Sequence, residues 1–245
     1  MRFLLGLFAL FIIPGSAVAC WDGLLFIARD PQLWIPLLSG FGGGILLYLL
    51  VIRKLPGFST FEHELTHALV ALLFFRRINK FKVTWKQGGQ VQYSGKFGGE
   101  FGNLLIGMAP YYLPTFSLVA VLVRPFLPTG WFPWFDVFIG FTFSCHFFST
   151  AEETKLSWTK RSDTAVGDRQ HTKSDIGKVG YLFAFLLIIG LGLFLQGMVL
   201  RMIGLGYPGI WPFLKRVFLV SWSTYASLAE DAYTYIAPIL KQLFL

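Results

Sequence analysis

Five consecutive residues of the chain, His63-Glu64-Leu65-Thr66-His67, have the types and spacing of a hydrolytic metal site. On a helix, residues four positions apart lie on one face, one turn from each other, so both imidazoles can reach a single Zn²⁺. Glu64 lies beside that face, where a carboxylate can accept a proton from water that the metal activates. The pattern therefore predicts His63 and His67 as metal ligands and Glu64 as a general base.

The surroundings of this motif favour a functional interpretation over coincidence. Histidines also occur in protein cores, and a pattern with three fixed letters arises by accident in roughly one chain of this length in a few hundred. Here, however, the motif interrupts an apolar run, residues 58–75. Ionisable groups in an apolar membrane segment are costly and by default mark functional sites. We therefore expect a metal site rather than a pair of core histidines.

The composition places the chain among integral membrane proteins. Of its 245 residues, 55% are hydrophobic and only 14% are charged, and the mean hydropathy is +0.61. This hydropathy excludes a soluble secreted protease. The net charge of +8 comes from basic residues at the ends of apolar segments, which indicates contact with anionic lipid and not with nucleic acid. Two cysteines, Cys20 and Cys145, are too few for a disulfide framework or a cysteine-rich zinc site.

Apolar segments along the chain predict an all-α polytopic membrane protein with about five to six transmembrane helices. Residues 1–19 have a basic start, an apolar stretch and small residues at their end, so they are either a signal peptide or a first transmembrane helix. Residues 20–245 are expected to form a single membrane-embedded domain. Its apolar segments are residues 33–52, the motif helix 58–75, 101–123, 131–150, 179–200, and one more span within 209–245, followed by an interfacial helix.

Local signals predict the start of the motif helix and the connections that follow it. Ser59 followed by Glu62 fits a capping box, so the helix should start just before the motif. Residues 81–95 alternate apolar and polar positions about a Gly-Gly turn, which predicts a β-hairpin. Its edges need a further partner, and an unwound substrate strand is one candidate. Residues 151–173 are polar and are expected to form a soluble loop.

In these features the chain resembles the site-2 protease family of intramembrane zinc metallopeptidases, particularly its small bacterial members. The resemblance is carried by Phe61-Glu62-His63-Glu64-Leu65-Thr66-His67-Ala68-Leu69, by the following Gly-Gly hairpin, and by a later Asp at the start of another helix. It implies that His63, His67 and Asp175 bind zinc and that Glu64 is the catalytic base. It also implies substrates that are membrane-spanning proteins or peptides, and a location in the bacterial inner membrane.

The third zinc ligand has several competitors in the sequence. Asp175-Ile176-Gly177 is a relaxed version of the Asp-Gly segment that is usual in the family, so Asp175 is the first candidate. Other residues of suitable type lie in or near the polar region before it. These competitors are His146, His171, Asp168 and Glu153.

The order of the predicted helices adds a condition on Asp175. His63 and Asp175 both lie near helix starts, so they share a membrane face only if an even number of crossings separates them. Three predicted helices lie between those starts. Since Pro110 and Pro114 leave backbone groups that a lipid-facing helix could not satisfy, we expect residues 101–123 to be a re-entrant element.

Two other functions are compatible with the motif. A membrane transporter or scaffold could bind a metal at the HExxH residues without hydrolysis, although no clear inverted repeat or pair of broken helices supports a transporter. A membrane zinc hydrolase acting on other bonds is the third alternative. The hairpin beside the motif favours a protease, because it can hold an extended chain. Basic residues flank both ends of the motif helix, so charge does not fix the orientation, and no pattern addresses the oligomeric state.

Overall fold

The computed structural model of the chain describes residues 2–84, 88–163 and 175–244. These residues are mainly helical, with one two-stranded antiparallel sheet, so the predicted all-α class with a β-hairpin is confirmed. The helices are, in chain order, α1 (Arg2–Ala28), α2 (Pro31–Leu50), α3 (Pro56–Leu73), α4 (Gly99–Tyr112), α5 (Thr115–Val123), α6 (Phe132–Asp163), α7 (Asp175–Val179), α8 (Tyr181–Leu205) and α9 (Ile210–Phe244). The strands are β1 (Arg77–Thr84) and β2 (Gly88–Ser94).

Three helices of the described residues are long and apolar enough to cross a membrane. They are α1, α2 with the turn that follows it, and α8. Each contains an 18-residue stretch whose mean hydropathy is 2.3, 2.1 and 2.4, respectively. The pair α4 and α5 adds a fourth span if it is counted as one. Large apolar side chains on these helices, such as Leu46 and Leu182, are exposed, as lipid-facing residues are. The chain is therefore an integral membrane protein, with three or four strongly apolar spans in its described part where five to six were predicted.

The predicted interruption of residues 101–123 is a sharp bend between α4 and α5. The two helices meet at 85°. Leu113 has an extended backbone, with φ −101° and ψ 107°, because the following Pro114 disfavours a helical conformation at the residue before it. Pro110, by contrast, lies within α4 without ending it. A bend of this size is what a broken span or the expected re-entrant element requires.

Three predicted segment ends are wrong. Helix α6 continues to Asp163, because Ala, Glu and Lys after Thr150 are good helix formers although they are not apolar. Much of the predicted loop 151–173 is therefore helical. The C-terminal region is one continuous helix, α9, and not a span with a separate interfacial helix. Finally, the helix predicted over residues 179–200 is α8, which begins at Tyr181 and ends at Leu205. Gly180 separates it from α7 with a φ of +98°, a conformation that favours glycine.

Glycines bring α2 against α6 and α1 against α9. A side chain at Gly40 of α2 would collide with the carbonyl of Val137 in α6, and one at Gly15 of α1 would collide with the carbonyl of Val217 in α9. Small residues permit this backbone approach between membrane helices. Residues 2–19, predicted as part of a signal peptide or a first transmembrane helix, form the first part of α1, which packs on α8 and α9.

The motif helix α3 lies within the helical bundle and packs on α4 and on both strands. It begins at Pro56, whose fixed φ and missing N–H suit a first helical position. The predicted capping box is wrong, because Ser59 lies inside the helix and its hydroxyl donates to Glu153 of α6. Val70 of α3 and Ile106 of α4 belong to one buried apolar cluster beside the motif. The first histidine of the motif therefore lies about two turns into a packed helix, so the helix starts earlier than the capping box predicted.

The hairpin follows α3 directly. Arg77 pairs with Ser94 and Thr84 pairs with Gly88, so the first strand starts four residues before the predicted residue 81. One irregularity in the register lies between Ile78 and Lys80. Among the described residues the two strands pair only with each other. The sheet therefore keeps two outer edges that no further described strand covers.

Candidate metal and catalytic site

His63 and His67 face each other across one turn of α3. Their ring centroids are 4.8 Å apart and the ring planes are inclined by 76°. The two Nε2 atoms are 3.1 Å apart. His67 is 9% exposed and the His63 side chain 15%, so both imidazoles lie largely out of solvent. The helix thus brings the two predicted ligands together as their spacing of four residues predicts.

The opposite nitrogen of each imidazole is held by an oxygen from another helix. Nδ1 of His67 lies 2.7 Å from the carbonyl oxygen of Ile106 in α4, and Nδ1 of His63 lies 2.7 Å from Oε2 of Glu153 in α6. A carbonyl and a carboxylate can only accept, so each Nδ1 carries the proton and donates. In neutral imidazoles the lone pair is then on Nε2. Partners of this kind fix the tautomer and ring orientation of metal-binding histidines.

This arrangement fits a bound cation. Two Nε2 lone pairs at 3.1 Å repel each other unless a positive charge, a proton or a metal ion, lies between them. Zn–N bonds of about 2.0–2.1 Å in a tetrahedral site place two nitrogen ligands about 3.3 Å apart. The observed separation is close to that value. His63 and His67 therefore have the tautomers and the spacing that a zinc ion needs from two ligands.

Asp175, the first candidate for the third zinc ligand, lies at the start of a short helix. Asp175 is the first residue of α7, and its neighbour Ile176 is buried in the same apolar cluster as Ile106. The Asp175 side chain, like His171 and Asp168, lies outside the described parts. Within those parts no group of three or more His, Cys, Asp or Glu is arranged to hold a metal. Asp175 therefore stays a prediction.

The two described competitors have other partners in this structure. Glu153 contacts Nδ1 of His63, on the side of the ring away from Nε2, and His146 Nδ1 lies 3.7 Å from Oε1 of Glu62. Glu62 is 6% exposed and His146 is 4% exposed, so this second histidine–carboxylate pair is buried as well.

A small polar cavity of about 10 Å³ lies between α3 and α6. This volume is about the minimum that one water molecule needs. The cavity gives the buried charges of the site a polar environment instead of hydrocarbon. Its lining residues are Ser59, Glu62, His63, Thr66, Pro110, His146, Ser149 and Glu153.

Glu64 lies beneath the hairpin. It is 9% exposed, and a Cβ added to Gly89 of β2 would lie 2.9 Å from Cδ of Glu64 and 2.8 Å from Cγ2 of Thr60. Real Cβ atoms do not approach other atoms so closely, so only glycine at position 89 lets the strand backbone lie against this carboxylate. The Gly-Gly pair from which the turn was predicted lies in strand β2 instead, and Gly89 brings that strand next to the predicted base.

The sequence interpretation treated Glu153 only as a competing ligand and missed its contact with His63. A signal for it is present: His146, Ser149 and Glu153 follow one another at intervals of three and four residues, the spacing of one helix face. That signal was hidden because the apolar run ends at Thr150, where the helix was predicted to stop. The Ile106 carbonyl carries no sequence signal, because any residue type supplies it.

Comparison with known proteins adds one finding. Residues 45–142 match a protein-family model described as Peptidase M50B-like. The matched part contains α3, the hairpin, α4 and α5, and it ends before His146, Glu153 and Asp175. Neither the curated proteins nor the solved structures gave a significant match to the chain.

Proposed function

We propose that the chain, whose residues 45–142 match the Peptidase M50B-like model and whose motif resembles that of the site-2 protease family, is an intramembrane zinc metalloprotease that hydrolyses peptide bonds of membrane-spanning substrates. The single observation that carries this proposal is the convergence of the His63 and His67 Nε2 atoms at 3.1 Å, with both Nδ1 atoms donating elsewhere. This is the donor arrangement that HExxH supplies to zinc.

Different residues of the chain are proposed to bind zinc and to transfer the proton. His63, His67 and Asp175 are proposed to hold the zinc ion. A bound zinc ion polarises a carbonyl and lowers the pKa of water towards about 7. Glu64 accepts the proton of the attacking water and later donates it to the leaving amine. The hairpin and α3 keep Glu64 away from bulk water, which strengthens its interaction with the reacting groups.

The hairpin offers a place for the substrate. A substrate helix must unwind before its amides can react, because they are hydrogen-bonded within the helix. A sheet edge can accept the amides of an unwound chain, and strand β2 lies directly against Glu64. Gly or Pro in the membrane segment of a substrate lowers the cost of unwinding. We therefore propose membrane proteins or peptides with such segments as substrates, in the bacterial inner membrane.

Replacing candidate third ligands is expected to single out Asp175. Asp175→Ala should remove bound zinc from detergent-purified protein, since a two-ligand site is incomplete. His146→Ala should retain about one zinc per chain, because His146 faces Glu62 in the structure. Elemental analysis of both folded variants measures this. Retention of zinc in Asp175→Ala together with its loss in His146→Ala would assign the ligand to His146.

The proposed activity is tested with a set of membrane-spanning peptides, with and without Gly or Pro in the apolar segment, incubated with the purified protein. Mass spectrometry should find cleavage within the apolar segment, and 1,10-phenanthroline should stop it. Bound zinc without cleavage of any peptide in the set would instead favour a transporter or scaffold that binds a metal without hydrolysis.

A further inference from the structure

A cavity of about 620 Å³ lies between α6 and α8. Its volume is within the range of about 300–1,000 Å³ that is usual for ligand sites. Most of its lining is apolar, and one lining residue, Phe147, is 53% exposed. The lining residues are Tyr111, His146, Phe147, Thr150, Ala151, Thr154, Lys155, Ile188, Ile189, Gly192, Leu193 and Gln196.

The inner end of this α6–α8 cavity borders the candidate metal site. His146 lines both the α6–α8 cavity and the small polar cavity that contains His63. The ring of Tyr111 stands edge-on to the ring of His63, with the centroids 5.6 Å apart. A group that fills the α6–α8 cavity is therefore separated from the metal-binding face of α3 by one layer of side chains.

Gly192 sets the width of the cavity. It is buried, yet a Cβ added there would meet no atom within 4 Å. Buried glycines elsewhere in this chain, such as Gly40, lie against a neighbouring backbone. Gly192 thus faces empty space, and Ile188, Ile189 and Leu193 around it give that space an apolar wall.

We propose that the α6–α8 cavity is the pocket for a large apolar side chain of the substrate, next to the bond that is cleaved. This inference rests on the proposed zinc protease function. The apolar walls select aliphatic or aromatic side chains, which gain by leaving water or the headgroup region. The position of Tyr111 and His146 between the pocket and His63 keeps such a side chain close to the reacting carbonyl without contact with the metal ligands.

Two hydroxamates test the pocket, since the hydroxamate group binds zinc directly. Acetohydroxamate has no side chain to fill the pocket, whereas a hydroxamate with a phenylpropyl group does. The zinc-loaded wild-type protein should bind the phenylpropyl compound about tenfold more tightly or better, as expected for apolar groups in a complementary pocket. In Gly192→Leu this advantage should fall about tenfold, while the affinity for acetohydroxamate stays unchanged. Calorimetric titration measures both affinities.

Two further variants make the result decisive. Ala151→Phe narrows the same pocket from α6, so it should reproduce the effect if Gly192→Leu does not fold. Gly43→Leu is the matched control, because Gly43 lies on α2, away from the pocket, and also has no atom within 4 Å of an added Cβ. If Gly192→Leu and Ala151→Phe both fold and both keep the full affinity advantage of the phenylpropyl compound, the pocket proposal is wrong. If neither hydroxamate binds the wild type, the zinc function fails and the pocket proposal with it.

Glu153 carries a second, independent inference. Its Oε2 accepts the proton of His63 Nδ1 at 2.7 Å, and its Oε1 accepts from the Ser59 hydroxyl at 3.2 Å. The carboxylate is thus held between two side chains of α3 while it belongs to α6. We infer that Glu153 is a positioning residue, which fixes the ring and tautomer of His63 for metal binding. The adjacent Glu152 has different partners, Tyr48 and Arg53.

Zinc affinity separates this role from that of a ligand. Glu153→Gln should weaken zinc binding within the 10–100-fold range found for outer partners of metal-binding histidines, and Glu153→Ala should weaken it more. Both variants should still bind one zinc at saturation, with the same number of zinc ligands by X-ray absorption. Glu152→Gln should retain wild-type affinity. Unchanged affinity in both Glu153 variants would refute the role, and loss of one oxygen ligand would make Glu153 a ligand instead.

Discussion

Glu64→Gln is expected to abolish peptide hydrolysis while leaving zinc bound. Glutamine has nearly the same shape as glutamate but cannot accept a proton from water at neutral pH. Loss of a general base lowers rates by about 10²–10⁴-fold. The side chain lies next to the histidines without being one of the proposed ligands, so the metal content should not change. The measurements are cleavage of the membrane-spanning peptides and zinc per chain in the same preparation.

A matched control for Glu64→Gln is Glu100→Gln. Glu100 lies in the first turn of α4, where its exposed carboxylate is 3.4 Å from Arg2. An exposed pair of this kind contributes little to stability. We expect this variant to cleave at the wild-type rate. Wild-type cleavage by Glu64→Gln would remove Glu64 from the mechanism, whereas loss of zinc in that variant would give Glu64 a structural role in the metal site.

His67→Ala has the second large expected effect, the loss of zinc. The substitution removes one of the two converging Nε2 atoms. Its effect on zinc affinity should exceed the roughly 10–100-fold cost of losing an outer partner, because a direct ligand is lost. Hydrolysis should disappear together with the metal. Elemental analysis after zinc loading and removal of excess metal measures the change.

Val70→Ala is the control for lost packing in His67→Ala. Val70 is 6% exposed and lies one turn further along the same helix, where its truncation removes apolar contacts but no donor to a metal. It should retain about one zinc per chain. If His67→Ala retains zinc to the same extent, the metal is bound elsewhere, and the convergence of the two imidazoles does not define the site.

The local parts of the site could be predicted from the sequence. A spacing of four residues brings His63 and His67 together on any helix, so their contact depends only on α3 being helical. The hairpin also follows from local alternation of apolar and polar residues. Its predicted turn at Gly88 and Gly89 is wrong, because both glycines lie in strand β2 and pair with Thr84 and Val83. The family assignment made from these residues agrees with the match to residues 45–142.

Contacts between distant segments could not be predicted in the same way. Glu153 reaches His63 only because α6 continues beyond its apolar part, and hydropathy marks the end of the apolar part and not the end of a helix. Gly89 lies against Glu64 because of how the hairpin folds back on α3, which depends on the whole bundle. The placement of Asp175 depends in turn on how α7 packs, and the sequence offers only its residue type.

The bend between α4 and α5 shows what proline patterns do and do not predict. Pro110 and Pro114 both indicated an interruption, but only Pro114 lies at the break, since Pro110 is accommodated within α4. The sequence therefore located the interruption to within one helical turn. Its angle of 85° depends on packing that no local pattern encodes.

Zinc-edge X-ray absorption of the purified, zinc-loaded wild-type protein tests the central claim most directly. We expect one zinc per chain with two imidazole nitrogens among its ligands, and the loss of at least one imidazole in His67→Ala. A folded protein that binds no zinc after loading, or binds it without imidazole, would contradict a zinc site at His63 and His67 and make the histidine pair of α3 a feature of packing alone.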